Sequence, residues 1–154
     1  MFWNKRYWLL PLLLGCVEIE ELPIADPITV TPPTAEEQRT YWVTHWARVF
    51  EVDTTLALQV SRAENWTAVR NAWSSTLCCV GDMQVNVGVW YGWFDEECGG
   101  SDLLTHRDNT CYGVLILRHY LWRTGGNVEE ALRLYLGAST MTKARGYIDD
   151  VMGD

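Results

Sequence analysis

The feature that most constrains the fold of this chain is a series of apolar stripes at helical spacing, several of them preceded by a capping residue. Thr34 and Glu37 have the spacing of a capping box, in which the threonine accepts from a first-turn amide and the glutamate reaches back. Apolar residues then recur at helical intervals, at Trp42, Val43, Trp46, Val49 and Phe50. The pattern predicts an amphipathic helix that begins after Thr34.

A second helix is predicted after Asp53, a candidate N-cap, and its apolar face includes Val60. Glu64 lies four residues beyond Val60 and therefore falls on the same face. Burial disfavours the ionised form of a carboxyl, so we expect the pKa of Glu64 to be raised and its side chain to be able to donate a proton. The alternative is that Glu64 ends the helix in solvent, paired with Arg62 or Arg70.

Three more helices are predicted, over about Cys111 to Trp122, Asn127 to Leu136, and Lys143 to Val151. Asp108 or Asn109 is a candidate cap for the first of them, and the Gly125-Gly126 pair should end it. Between Trp66 and Asp108 the pattern loosens, with at most a short helix around Gln84 to Trp90, and we expect this segment to shape a cleft. No run alternates as a strand would. The predicted fold is therefore mainly α, with a loop-rich cleft segment.

The first residues, MFWNKRYWLLPLLLGC, have the features of an export signal. Lys5 and Arg6 precede an apolar run from Trp8 to Leu14, which is shorter than the roughly 20 residues that a membrane-spanning helix needs. The run ends in Leu-Leu-Gly-Cys, which resembles the lipobox of bacterial lipoproteins. We therefore expect a signal peptide over residues 1–15 and lipidation of Cys16, or else an ordinary signal peptide or uncleaved anchor in which that cysteine is incidental.

Residues 16–33 are acidic, proline-rich and without helical periodicity, which is typical of a tether, and residues 34–154 form the predicted folded domain. An exported chain of this kind would be an outer-membrane lipoprotein facing the periplasm and held to the membrane by its N-terminus. It could instead be carried in a phage virion, with virion proteins as partners. The formal charge of −8 gives little support to nucleic-acid binding, which depends on Lys and Arg.

Four cysteines follow the lipobox, and an exported chain reaches an oxidising compartment, so disulfides are predicted. Cys78 and Cys79 are neighbours and would be strained if bonded to each other. We therefore expect each to pair with Cys98 or Cys111, which leaves two connectivities open. A zinc site that combines these cysteines with His106 would lack the C-x-x-C spacing, so neither a metal nor a cofactor is predicted.

Four short motifs follow one another along the predicted domain. They read Ala-Glu64-Asn65, Gly81-Asp82-Met83-Gln84, Asn109-Thr110-Cys111-Tyr112-Gly113 and Tyr135-Leu136-Gly137. In this order they resemble the soluble lytic transglycosylase domain and its goose-type lysozyme relatives, over about Asp53 to Val151. The chain departs from that family at Asn65, Asp82 and Leu136, where the family has serine, an apolar residue and asparagine.

The resemblance implies a lysozyme-like helical domain that cleaves the bond between N-acetylmuramic acid and N-acetylglucosamine in peptidoglycan glycan strands, with Glu64 as catalytic acid. Gln84 would hydrogen-bond the substrate, Met83 would line the sugar site and Asn109 would shape the cleft floor. Tyr135 would reach Glu64 or the sugar. The family's reaction is non-hydrolytic, because the 6-hydroxyl of the muramic acid closes an anhydro ring, and so a second carboxylate is not obligatory.

Three other functions remain open. A hydrolytic muramidase would use a second carboxylate. The candidates are Asp82, Asp95, Glu96 and Glu97. A non-catalytic peptidoglycan-binding structural lipoprotein would keep the shape without turnover. A cysteine-dependent amidase or peptidase would combine Cys78 or Cys79 with His106 or His119 as base.

Overall fold

The structure is a computed structural model that describes residues 32–64 and 78–153, and it is mainly helical, as predicted. In these residues it contains seven helices and one two-stranded hairpin. In chain order they are α1 (Ala35–Val49), α2 (Thr54–Glu64), β1 (Cys79–Val80), β2 (Val85–Asn86), α3 (Val87–Trp90), α4 (Asp95–Cys98), α5 (His106–Arg123), α6 (Val128–Leu136) and α7 (Met141–Met152).

The predicted signal peptide, Cys16 and nearly all of the predicted tether lie outside the described residues, and so do Arg70, Asn65 and much of the predicted cleft segment. Among the helices that the structure describes, none combines the length and the apolar character needed to cross a bilayer.

Three helix starts are capped as predicted. The Thr34 hydroxyl accepts from the backbone N–H of Glu37 at 3.2 Å, and the Glu37 carboxylate accepts from the backbone N–H of Thr34 at 2.7 Å. Asp53 and Asn127 each accept from the backbone N–H three residues further on, at 2.7 and 3.1 Å. These bonds satisfy amide groups that have no partner inside a helix, which is why such residues mark helix starts.

The start of α5 corrects a prediction. Its N-cap is Thr105, whose side chain accepts from the backbone N–H of Asp108, so the helix begins five residues earlier than expected. Asp108 and Asn109 do not cap the helix, because their side chains bind backbone outside it: Asp108 accepts from the N–H of Asp102 at 3.1 Å, and Asn109 holds the hairpin. The Gly125-Gly126 pair follows the helix end with positive φ, as predicted.

The core is arranged around α5. Residues 111–117 of this helix are buried on every side, as expected for a helix enclosed by other elements. Helix α1 packs against α5 and α2, α6 packs against α5, and α7 packs against α6 and α2. The end of α2 is thereby placed close to α6 and α7, and this arrangement positions the candidate site.

The hairpin was not predicted. Strands β1 and β2 are antiparallel, with Cys79 opposite Asn86 and Val80 opposite Val85, and residues 81–84 form the turn. Each strand has two residues, which is too short for an alternating pattern to be visible in the sequence. The helix α4 was not predicted either, because four residues are too few for a helical repeat to be visible in the sequence.

All four candidate cysteines are at disulfide distance, but the expected pairing is corrected. Cys98 is bonded to Cys111, with their Cα atoms 5.7 Å apart, and both residues are buried. Cys78 is bonded to its neighbour Cys79, and their Cα atoms are 3.8 Å apart. The reason is that α4 packs against α5 and brings Cys98 directly to Cys111, and Cys78 and Cys79 pair with each other.

Candidate active site

The end of α2 opens on a cleft of about 350 Å³. Glu64, the last residue of α2, is half-buried and lines this cleft. Of the other site residues predicted from the sequence, Gln84 and Tyr135 line it too, whereas Met83 and Asn109 do not. The structure therefore brings three of the five predicted residues to one cavity, from three different elements of the chain.

The remaining lining of the cleft combines apolar and aromatic side chains with polar ones. Trp90, Ile116 and Tyr120 are among the apolar and aromatic lining residues, and Asn86 adds a side-chain amide. The Cys78–Cys79 disulfide also lines the cleft. A cavity that combines apolar surface with a few polar groups is typical of small-molecule binding sites.

Two tyrosines lie close to Glu64. Burial raises the pKa of Tyr135 well above its ordinary value, and the negative charge of Glu64 raises it further. The pKa of Tyr147, on α7, is raised for the same two reasons in the same order. Both phenols therefore stay protonated at neutral pH and cannot serve as bases beside Glu64.

Tyr147 was not predicted as a site residue. It lies on α7 beside Ala144, Ile148 and Val151, which are buried at helical spacing. That spacing indicated a helix packed on the core, but the packing of α7 against α2 was needed to show that Tyr147 meets Glu64.

The turn that carries Gln84 is held by Asn109. The amide nitrogen of Asn109 donates to the carbonyl oxygens of Val80 and Leu103, each at 2.9 Å, and its amide oxygen accepts from the backbone N–H of Met83 at 2.9 Å. Asn109 is 1% exposed, so these bonds form away from water. The side chain fixes the hairpin turn from α5 instead of contacting the cleft directly.

Two glycines explain why the motifs of the turn and of α5 occur together. A Cβ atom on Gly81 would lie 1.9 Å from the amide nitrogen of Asn109, and one on Gly113 would lie 2.4 Å from the Cβ of Met83. Met83 is fully buried against α5. Each glycine thus makes room for a residue of the other motif, and the two motifs form one packed unit.

Tyr135 connects α6 to the same turn, because its hydroxyl donates to the carbonyl oxygen of Met83 at 2.8 Å. Gln84 has a φ of +45°, an unusual backbone conformation outside glycine, and its side-chain amide donates to the carbonyl oxygen of Gly81 at 2.8 Å. The Tyr135 bond to Met83 and the Gln84 bond to Gly81 therefore fix the turn, and Gln84 lines the cleft from it.

The acidic residues considered as a second catalytic group lie elsewhere. Asp82 is buried and hydrogen-bonded to Nδ1 of His106 at 2.6 Å, and Asp95 accepts from the hydroxyl of Tyr112. Neither they nor Glu96 and Glu97 line the cleft. Among the described residues that do line it, Glu64 is the only carboxylate.

The cysteine arrangements considered from the sequence are not assembled. Cys78 and Cys79 are bonded to each other, and His106 is paired with Asp82, so neither a free thiol nor a zinc set is brought together. Within residues 32–64 and 78–153, no group of three or more His, Cys, Asp or Glu side chains is placed to hold a metal ion.

Comparison with protein-family models, with curated proteins and with solved structures gives no match for this chain. The resemblance to lytic transglycosylases therefore rests on the four motifs and their order. In the described residues, the first, second and fourth motifs each contribute a side chain to the cleft, and the third holds the second in place.

Proposed function

We propose that this chain cleaves the glycan strands of peptidoglycan as a lytic transglycosylase, with Glu64 as the general acid. The observation that carries the proposal is the position of Glu64 in the cleft. It ends a helix that is buried on the side of Val60, it lies beside Tyr135 and Tyr147, and it shares the cavity with Gln84.

The cleft contains a candidate proton donor and groups that can bind a sugar. Breaking a glycosidic bond requires a proton on the leaving oxygen while positive charge develops on the sugar ring. Glu64 would supply the proton and, once ionised, would face the charge that develops. The amides of Gln84 and Asn86 suit the hydroxyl and acetamido groups of an amino sugar, and the ring of Trp90 suits its apolar face.

The distribution of carboxylates favours a lyase over a hydrolase. A hydrolase uses a second acid to activate water or to attack the sugar. Among the described residues that line the cleft, Glu64 is the only Asp or Glu, and residues 65–77, which follow it directly, contain no Asp or Glu. A reaction in which the substrate's own hydroxyl closes the ring needs no second carboxylate, and we propose that reaction here.

The site of action follows from the N-terminal sequence. We propose that the lipobox-like sequence ending at Cys16 exports the chain and anchors it to a membrane, where it meets peptidoglycan in the periplasm. Delivery in a phage virion is the second candidate location. Export would also provide the oxidising compartment in which the Cys98–Cys111 and Cys78–Cys79 bonds form.

Digestion of purified peptidoglycan, followed by mass analysis of the soluble fragments, tests this proposal. Wild-type protein is expected to release fragments with anhydromuramic ends, and Glu64→Gln is expected to release none above background. Reducing ends from the wild type would show a muramidase instead. Binding without release of fragments by either protein would overturn catalysis and support a structural, peptidoglycan-binding role.

A further inference from the structure

The two disulfides of this chain lie in different surroundings. Cys98 and Cys111 are 1% and 0% exposed, and their bond connects α4 to α5 within the core. Cys78 is exposed and Cys79 is half-buried, and both line the cleft that contains Glu64. This second bond is therefore accessible to a ligand of the cleft and to solvent, whereas the buried bond is accessible to neither.

Cross-linking does not account for the Cys78–Cys79 bond. A disulfide stabilises a fold mainly by restricting the unfolded chain, and a bond between neighbours restricts it very little. What the bond does change is the chemistry of the cleft lining. Two thiols are weak hydrogen-bond donors that rotate independently and can ionise, whereas the disulfide is one neutral, polarisable surface without a donor.

The hairpin holds this disulfide at the cleft. The carbonyl oxygen of Cys78 accepts from the backbone N–H of Val87 at 3.1 Å, and Cys79 is paired with Asn86 across the two strands. Asn86 lines the cleft as well. The hairpin therefore contributes to the cleft both an apolar pair of sulfur atoms and a hydrogen-bonding amide.

An oxidised sulfur pair suits the apolar face of a sugar ring. A pyranose has a face of C–H groups and an edge of hydroxyl groups, and such a ligand fits a cavity in which apolar surface lies next to a few polar groups. Sulfur packs against C–H groups through dispersion. Because the bond already fixes both cysteine side chains, binding orders them at little cost in conformational entropy, whereas free thiols would have to be ordered by the ligand.

We infer that the Cys78–Cys79 disulfide is a redox-sensitive substrate-binding element of the cleft, and that its reduction to two thiols weakens substrate binding without unfolding the domain. The inference rests on the proposed function for the identity of the substrate, a glycan of N-acetylated amino sugars. It adds a condition to that function. Because cysteines remain thiols in a reducing cytoplasm, the cleft is completed only after the chain has been exported.

Reduction by a dithiol opens the bond in two exchange steps. A thiolate of the dithiol attacks one sulfur of the protein disulfide, the S–S bond breaks, and the electron pair leaves with the other sulfur, which takes up a proton. The second thiol of the reagent then closes a cyclic disulfide and releases the first protein sulfur as a thiol. Access favours the exposed pair, so the Cys78–Cys79 bond should open before the buried Cys98–Cys111 bond.

The test measures oligosaccharide binding in protein that carries Glu64→Gln, so that no strand is cleaved. A chitin oligosaccharide is titrated calorimetrically into the oxidised protein, into the same protein after mild treatment with dithiothreitol, and into the variant that also carries Cys78→Ser and Cys79→Ser. Alkylation and peptide mapping verify that the treated protein has thiols at Cys78 and Cys79 and an intact Cys98–Cys111 bond.

Reduction and the double substitution should each weaken binding of the oligosaccharide roughly three- to tenfold. The melting temperature should stay within a few degrees of the parent's, because this bond contributes little to stability. The matched control is dithiothreitol treatment of the double serine variant, which lacks the bond and should bind with the same affinity before and after treatment.

Three results would overturn the inference: unchanged affinity of the parent on reduction, an equal loss in the treated serine variant, or no binding by the oxidised parent. Failure of the proposed function has a different signature. The wild type would then release no fragments from peptidoglycan in either redox state, whereas failure of the inference alone would leave a release that depends on Glu64 and is equal in oxidised and reduced protein.

Discussion

At the scale of single residues, the site depends on a side chain that does not line it. Asn109 forms hydrogen bonds to three backbone groups of the hairpin and the loop before α5, and it is almost fully buried. The family resemblance placed Asn109 at the cleft floor. The structure gives it a supporting role, since it fixes the turn from which Gln84 lines the cleft.

Asn109→Ala tests that role. The substitution leaves the N–H of Met83 and the carbonyl oxygens of Val80 and Leu103 without these bonds, and each buried group left unpaired costs about 1–3 kcal/mol. We expect the free energy of unfolding, measured by urea denaturation, to fall by about 3 kcal/mol or more.

The matched control for Asn109→Ala is Asn86→Ala. Asn86 stands at the N-cap of α3 but makes no side-chain capping bond, so its loss should change the free energy of unfolding by about 0.5 kcal/mol or less. Similar small losses in the two variants would contradict the role assigned to Asn109.

At the scale of structural elements, the two disulfides should differ in their contribution to stability. The Cys98–Cys111 bond closes a loop across 13 positions and connects α4 to α5, whereas Cys78–Cys79 joins neighbours. Because a disulfide stabilises mainly by restricting the unfolded chain, the first bond should contribute about 3 kcal/mol and the second very little.

Two double variants measure this difference. The change of Cys98 and Cys111 to serine should lower the free energy of unfolding by about 3 kcal/mol, and the same change at Cys78 and Cys79 should have a small effect. Peptide mapping without reduction should find the same two pairs. A cross-link from Cys78 or Cys79 to Cys98 or Cys111 would contradict the described pairing.

The helices could be predicted from the sequence where a capping residue precedes an apolar stripe, as at Thr34, Asp53 and Asn127. The start of α5 could not, because Thr105, Asp108 and Asn109 are all suitable caps and only packing decides which of them acts as one. Strands of two residues leave no periodic signal. The disulfide pairing was wrong because it depends on where α4 lies against α5.

The residues of the candidate site also divide into those that could be predicted from the sequence and those that could not. Glu64, Gln84 and Tyr135 could be selected from motifs, since the order of short motifs survives in the sequence. Tyr147 and Trp90 could not, because an aromatic residue at helical spacing has the same pattern whether it faces the core or a cleft. Their role depends on contacts between α7 and α2 and between α3 and α5, which join residues far apart in the chain.

At the scale of the whole molecule, the proposed function must agree with the acidity of the chain. The formal charge of −8 gives no general attraction to an anionic substrate, so recognition has to come from neutral contacts. The cleft offers groups for such contacts in the amides of Gln84 and Asn86 and the aromatic rings that line it. The helices packed around α5 hold Glu64, on α2, and the hairpin turn in one packed structure.

The rate at which soluble fragments are released from purified peptidoglycan tests the central claim most directly. Glu64→Gln keeps the shape of the side chain but cannot act as the acid, and it should lower this rate at least about a hundredfold. Glu36→Gln, an exposed carboxylate on α1 outside the cleft, should keep the wild-type rate, and both variants should keep the wild-type melting temperature within a few degrees. Release by folded Glu64→Gln at the wild-type rate would contradict the assignment of Glu64 as the catalytic acid.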